Sequence, residues 1–290
     1  MDAWRTAWPR PRDATCSGHF HEALLVWDEQ RYAVMVAKAL RPGLHEDAGA
    51  LRALYREAQA LETLSHPVIL RAFDAVLEGE RPHLLLEHLE GATVRSVMKR
   101  GGGVLPLEQI LPLLLHVASG LHYLEQVGWV HLDLKPENTI MGVPPRVIDL
   151  SLARKVEDAR HLSGPTGTDA YMPPEQCVPE RFPGVVGPQS DVFGLGATVH
   201  HALTGTRPFP RPSEARRSEV AEERFPQLVQ GPEPLPAKAP GPLAELLGDM
   251  LAHEPARRPT AAEVVQRLEP MVDALPRRMV LTRRGVRGRR

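Results

Sequence analysis

Hydrophobic positions along the chain change their period several times. Ala23-Leu24-Leu25-Val26-Trp27 is a continuous apolar run, a polar turn follows at 28–31, and Tyr32–Leu40 is rich in Val and Ala. Short apolar runs between turn residues predict strands. Residues 20–40 therefore read as strand, turn, strand, broken by Arg41-Pro42-Gly43. Over 49–64 the spacing turns helical, with Leu51, Leu54, Tyr55, Ala58, Leu61 and Leu64 on one face. Two more strand-like runs, 68–77 and 83–89, lie on either side of Glu78–Pro82. The first 90 residues read β, β, β, α, β, β.

Beyond Gly101-Gly102-Gly103 the pattern changes. Residues 107–127 predict a long apolar helix, and short strand-like pieces occupy 138–148. A Gly, Ser, Thr and Pro-rich segment spans 151–174. Helical patterns return at 190–204, 243–252 and 260–275. The Pro-dense stretch 208–242 reads as loop with short helices at best. No internal repeat is visible. The organisation is α+β, a small β-rich lobe joined to a larger helical lobe.

Composition narrows the class. The 290 residues are 42% hydrophobic and 24% charged, ordinary globular usage. Gly 23 and Pro 29 occur without a short period, which excludes a collagen-like chain. No apolar run approaches the roughly 18 residues of a spanning helix; the richest, Ile110–Ala118, is short and holds Pro112 and His116. Met1–Arg12 has no apolar region of the secretory kind. Cys16 and Cys177 alone cannot build a disulfide framework. The expected compartment is the reducing cytoplasm.

Net charge is −1, but unevenly spread. Arg277–Arg290 carries seven Arg and no acid, leaving the rest net acidic. This basic segment, 274–290, is expected to be a solvated, disordered tail able to contact an acidic partner; no specific nucleic-acid motif accompanies it. Residues 1–14 are expected to be an irregular extension. Lys occurs only at 38, 99, 135, 155 and 238, and Asn only at 138. Rare residue types inside a motif point to chemistry that needs them.

The stretch His131-Leu132-Asp133-Leu134-Lys135-Pro136-Glu137-Asn138, followed by Val147-Ile148-Asp149-Leu150-Ser151, supplies two carboxylates, an amide and an ammonium. Phosphoryl transfer needs such a set. A cation and Mg²⁺ neutralise the γ-phosphate while an acceptor hydroxyl is aligned. A carboxylate and an amide oxygen suit Mg²⁺, and a second carboxylate can take the acceptor's proton.

Here the chain resembles the eukaryotic-like, bacterial-type Ser/Thr protein kinases, over roughly 15–273 and with motifs in the family's order. The resemblance implies the bilobal protein-kinase fold, with a small antiparallel β lobe plus one helix (15–89) and a larger, mainly α-helical lobe (90–273). It also implies ATP and Mg²⁺ as cofactors and protein substrates. The catalytic loop resembles H-R-D-L-K-P-E-N, making Asp133 the base, Lys135 a γ-phosphate contact and Asn138 a Mg²⁺ ligand. Asp149 falls at the Asp of D-F-G and is the second Mg²⁺ ligand. Val36-Ala37-Lys38 resembles the V-A-I-K strand, so Lys38 is expected on the α/β-phosphates, paired with Glu57. Tyr32-Ala33-Val34-Met35 also reads as A-x-K with Met for Lys, which would mark an inactive protein. The ungapped distance from Phe20 to Lys38 favours Lys38.

The Gly-rich loop is eroded. Its glycines would fall on Cys16, Gly18 and His21, with Phe20 at the tip and Ala23 under the adenine; only Gly18 survives. Side chains at Cys16 and His21 should weaken ATP binding, with protonated His21 as a possible extra phosphate contact. Leu84–Gly91 resembles the hinge, placing backbone groups of Glu87 and Leu89 on adenine after a Leu86 gatekeeper.

Gly167–Glu175 resembles G-T-x-x-Y-M-A-P-E, with Thr168 expected against Asp133 and Lys135, and Glu175 against Arg258. Asp191 is expected to hold the catalytic-loop backbone. Leu132 stands where the family has Arg, the residue that reads an activation-loop phosphate. Activity is therefore expected not to depend strongly on phosphorylation of Ser163, Thr166 or Thr168. Two alternatives remain: a pseudokinase acting as a nucleotide-binding or scaffolding module, and a small-molecule phosphotransferase, against which Lys135 and Glu175 argue.

Overall fold

The computed structural model describes residues 20–276. The calls on Cys16, Gly18, the extension before residue 15 and most of the basic tail lie outside the described residues.

The small lobe is a four-stranded antiparallel sheet with one helix. Its strands are β1 (His21–Asp28), β2 (Ala33–Leu40), β3 (Ala72–Val76) and β4 (His83–Glu87), in the order β1-β2-β4-β3. Helix α1 (Ala48–Thr63) connects β2 to β3. Two strands precede α1 among the described residues, where the hydrophobic pattern predicts three. Asp47 caps α1 by accepting from Ala50 N at 2.7 Å, and Leu54, Ala60 and Leu61 are buried on its apolar face.

The run 68–77 is not one strand. Residues 68–70 bond the other lobe instead, with Val147 N on Val68 O at 2.7 Å and Leu70 N on Val147 O at 3.0 Å. Only Ala72–Val76 joins the sheet, with a bulge between Ala72 and Asp74. This apolar stretch is thus shared between the lobes and ties them together.

The large lobe is built around α3 (Leu107–Gln126), preceded by a short helix α2 (Val94–Arg100). Two small ladders follow: β5 (Trp129–Val130) with β8 (Arg154–Lys155), and β6 (Thr139–Ile140) with β7 (Arg146–Val147). The segment 151–174 holds β8 and a one-turn helix α4 (Val156–Ala159). Then come α5 (Pro174–Cys177), α6 (Pro188–Thr204), α7 (Ala221–Arg224), α8 (Gly241–Met250) and α9 (Ala261–Asp273). Helix α6 ends on Gly205 at φ 80°, a left-handed stop that glycine takes without a Cβ clash. Thr260 and Glu263 form a reciprocal capping box at the start of α9.

One hydrophobic core runs through both lobes. It joins Leu40, Leu54, Leu84 and Leu86 to Ile110, Leu114, Leu124, Leu246 and Val264. Helix α3 packs on α6 and α9 within it. No helix among the described residues is long and apolar enough to cross a membrane.

Candidate active site

Parity along β2 decides what each residue faces. Successive side chains alternate between the two faces of a strand. Met35 and Ala37 are buried in a small cluster with Val26 and Leu85, while Val36 and Lys38 point to the opposite face. Lys38 Nζ lies 2.5 Å from Glu57 Oε2 on α1 and 2.7 Å from Asp149 Oδ1. Burial opposes the Lys38 charge, but the two carboxylates outweigh it and hold its pKa above the usual lysine range. Burial likewise opposes ionisation of Asp149, yet Lys38 pulls that carboxyl well below the usual carboxylate range. Burial raises the Glu57 carboxyl, and Lys38 pulls against that rise.

Two further contacts join α1 to the segment after Asp149. Leu150 N donates to Glu57 Oε1 at 3.3 Å, and Arg56 Nη1 donates to Ser151 O at 3.1 Å. Asp149 itself sits at φ 63°, a left-handed conformation that Asp tolerates better than most side chains.

The catalytic loop is hung from α6. Buried Asp191 accepts His131 N at 2.6 Å and Leu132 N at 2.7 Å. Burial raises the Asp191 carboxyl pKa, and these two amide donors counter it. They fix the backbone where Leu132 takes φ 65°, which costs a non-glycine residue about 1–2 kcal/mol. The Leu132 side chain closes a dry cluster with Val130, Ala159 and Val186.

Around Asp133 the hydrogen bonds form a closed ring. Asp133 Oδ2 accepts from Lys135 Nζ at 2.6 Å and from Asn138 Nδ2 at 3.0 Å. Its Oδ1 accepts from Thr168 Oγ1 at 2.7 Å, and that hydroxyl accepts from Lys135 Nζ at 2.8 Å. Asn138 Nδ2 also donates to Asp133 O at 3.0 Å. Both amide protons of Asn138 thus go to Asp133, which leaves its carbonyl oxygen as the atom to offer a cation.

That donor set fits Mg²⁺. Asn138 Oδ1 and the ionised Asp149 carboxylate are hard oxygen donors. No group of three or more His, Cys, Asp or Glu side chains poised for a metal exists among the described residues. A Mg²⁺ held here would need its other oxygens from phosphate and water, the usual mode for this ion.

In the small-lobe sheet, Ala23 lies opposite Lys38 in the β1–β2 register and Leu86 opposite Val36. Phe20 stands at the foot of β1, where its carbonyl accepts Arg41 N at 3.0 Å and its ring packs against the main core. Leu89 is half-buried against the same core. The Glu87 side chain turns away from the cleft: it pairs with Arg146 and accepts Arg71 N at 2.7 Å. Burial and the nearby Lys38 charge lower the His21 pKa to about 4. Without a phosphate beside it, the ring thus favours the neutral form.

Glu175 and Arg258 form a fully buried bidentate pair. Some residues escaped the sequence reading. Asp169, next to Thr168, is held by Arg211 Nη2 at 3.0 Å and by Arg224 Nη2 and Nε at 3.3 Å. Buried Gln227 donates to Asp169 O at 2.8 Å and Met172 O at 2.9 Å. Tyr171 Oη lies 2.7 Å from His201 Nδ1, and Arg95 reaches both His201 Nε2 at 3.4 Å and Glu137 at 3.6 Å. These partners come from the Pro-dense stretch and from α2 and α6, where no periodicity marks them.

Comparison with known proteins agrees with this geometry. The protein kinase domain family matches residues 16–268. Serine/threonine-protein kinase pkn2 of Myxococcus xanthus is 32% identical over 185 residues, covering 60% of this chain and 22% of the relative. Serine/threonine-protein kinase PknB of Mycolicibacterium smegmatis is 26% identical over 274 residues, covering 86% of this chain and 43% of the relative. A probable serine/threonine-protein kinase of Streptomyces coelicolor is 29% identical over 214 residues, covering 70% and 31%. The chain thus spans less than half the length of these relatives. With its two-lobed fold and the match over nearly all of its described residues, the chain belongs to the protein kinase domain family, of the bacterial serine/threonine type.

Proposed function

We propose that this chain is a serine/threonine protein kinase domain that transfers the γ-phosphate of ATP to hydroxyls of protein substrates. The observation that carries this reading is the simultaneous closure of two sets of contacts. Lys38 touches Glu57 and Asp149, and Asp133, Lys135 and Thr168 meet in one ring. Phosphoryl transfer is mostly positioning and charge stabilisation, so such an assembled site is what the reaction requires.

In this reading Lys38 binds the α- and β-phosphates, oriented by Glu57. Asp133 orients the acceptor hydroxyl and takes its proton, and Lys135 offsets charge on the transferred group. Asn138 and Asp149 would hold Mg²⁺, which supplies neutralisation of the phosphate oxygens. Phe20, Ala23 and the backbone of Glu87 and Leu89 would line the nucleotide's place; Gly18 lies outside the described residues. A pseudokinase reading rests on the eroded loop at 16–21. Against it stands the presence of every charged group the transfer needs.

Activity in this reading does not wait for phosphorylation of the segment 151–174. Leu132 meets α4 through apolar contact with Ala159 rather than through a phosphate. The packing of that segment then rests on burial, which needs no modification.

The test is transfer of labelled γ-phosphate from ATP and Mg²⁺ to the chain itself and to added proteins, comparing parent with Asp149→Asn. Transfer lost in the variant supports the kinase. No transfer by the folded parent at millimolar ATP would move the weight to a scaffolding role.

A further inference from the structure

The acceptor's seat has a rim of unbalanced positive charge. Asp133 and Lys135 neutralise each other at 2.6 Å. Around them stand four guanidiniums and two carboxylates. Arg211 and Arg224 both bind Asp169, the residue after Thr168, so one carboxylate there answers two cations. Arg95 takes Glu137 at 3.6 Å. Arg207 is exposed and lies beside the Tyr171 hydroxyl, three residues past Thr168. Burial and the neighbouring Arg95 and Arg207 lower the His201 pKa to about 4, so its ring stays neutral at pH 7 and the positive charge of the rim is that of the guanidiniums. Glu222 beside Arg224 is paired with Arg181 at 2.6 Å, whereas Glu223 accepts from the Ser218 hydroxyl at 2.6 Å and keeps its charge, which still leaves the four guanidiniums in excess.

The cations are also held in place. Arg224 lies over the Phe225 ring at 4.7 Å, and Arg211 additionally donates to Arg224 O. A fixed guanidinium loses little conformational freedom on meeting a carboxylate or phosphate. We propose that the segment accepted at this site is acidic, carrying Glu, Asp or phosphorylated residues beside its acceptor hydroxyl, recognised by the rim of Arg95, Arg207, Arg211 and Arg224. The proposal rests on Asp133 being the group that meets the acceptor hydroxyl. Complementary charge at a rim sets both encounter rate and partner choice. The same rim repels a basic segment.

Two synthetic peptides test this, identical except that a single Thr is flanked by Glu in one and by Arg in the other. With the full chain, ATP and Mg²⁺, kcat/KM for the Glu peptide should exceed that for the Arg peptide by about tenfold, the yield of a few exposed ion pairs. Arg207→Glu should shrink that ratio at least about threefold. Fluorescence anisotropy of the labelled peptides on the same protein gives a readout that needs no turnover. Salt-sensitive preference for the Glu peptide, reduced by Arg207→Glu but without phosphorylation, keeps the acidic site and sinks the kinase reading. Equal or tighter use of the Arg peptide overturns the proposal. So does a Glu preference that Arg207→Glu leaves unchanged, since that binding would come from elsewhere on the chain.

Discussion

Arg258 holds Glu175 through two parallel hydrogen bonds of 2.6 and 2.9 Å, with neither side chain exposed to solvent. All five of the guanidinium N–H groups are used. The remaining ones donate to Ala252 O, His253 O and Gln189 O, and the plane lies 4.8 Å over the Phe193 ring. Arg258→Gln should therefore destabilise the fold by about 3–5 kcal/mol, because it leaves a buried carboxylate unpaired. Urea denaturation checks this. The double variant Glu175→Gln, Arg258→Met should recover much of the loss, and a double variant no better than the single one would contradict the pairing argument.

Thr168 reports on the ring around Asp133. Thr168→Ala removes one donor to Asp133 and one acceptor of Lys135. The expected result is a fall in kcat of about 10- to 100-fold, within the range of positioned acid–base groups. The KM for ATP should stay within about threefold, since the proposed nucleotide contacts are those of Lys38 and Asp149. Thr168→Ser should restore most of the rate in steady-state phosphotransfer assays.

Leu132 separates an apolar latch from a phosphate latch. Leu132→Arg places a charge among Val130, Ala159 and Val186, with no carboxylate in that cluster. Stability should drop by several kcal/mol, read as a lower denaturation midpoint. Ser163→Ala and Thr166→Ala should each keep at least about half the parent's rate. Loss of activity in either would contradict the apolar latch.

His201 gives a pH signature. Its folded pKa of about 4 lies below the usual histidine value of about 6.5, with burial as the main cause. The folded state thus prefers the neutral ring. Its stabilising contribution is present above pH 6.5 and is lost as pH falls toward 4. The urea midpoint should fall over that window, and it should fall less steeply in His201→Gln. Parallel slopes for parent and variant would remove His201 from the account.

Much of the layout was legible in the sequence. Long amphipathic helices such as α3 and α9 have enough turns for their period to show. Rare residue types marked the site: Lys38, Lys135 and Asn138 all lie where the charged contacts converge. The choice between Met35 and Lys38 is a matter of strand parity, which the apolar run around them conceals. Helix α2 is seven residues long and starts from the Thr93 cap, too short to display a period. Ladders of two residues, such as β5 with β8, arise from tertiary contact rather than propensity. The Asp169 clamp joins residues more than forty positions apart, and no local pattern announces such a pairing.

The bonds from Glu57 to Leu150 N and from Arg56 to Ser151 O have a consequence for inhibitor choice. A compound that requires Asp149 rotated out of the cleft must first separate these anchors and expose Leu150, which is fully buried. That cost subtracts from its affinity in full. Ligands that accept the lysine-bridged arrangement avoid it, so screening against this chain should enrich shallow, nucleotide-shaped binders over long ones that reach behind Lys38.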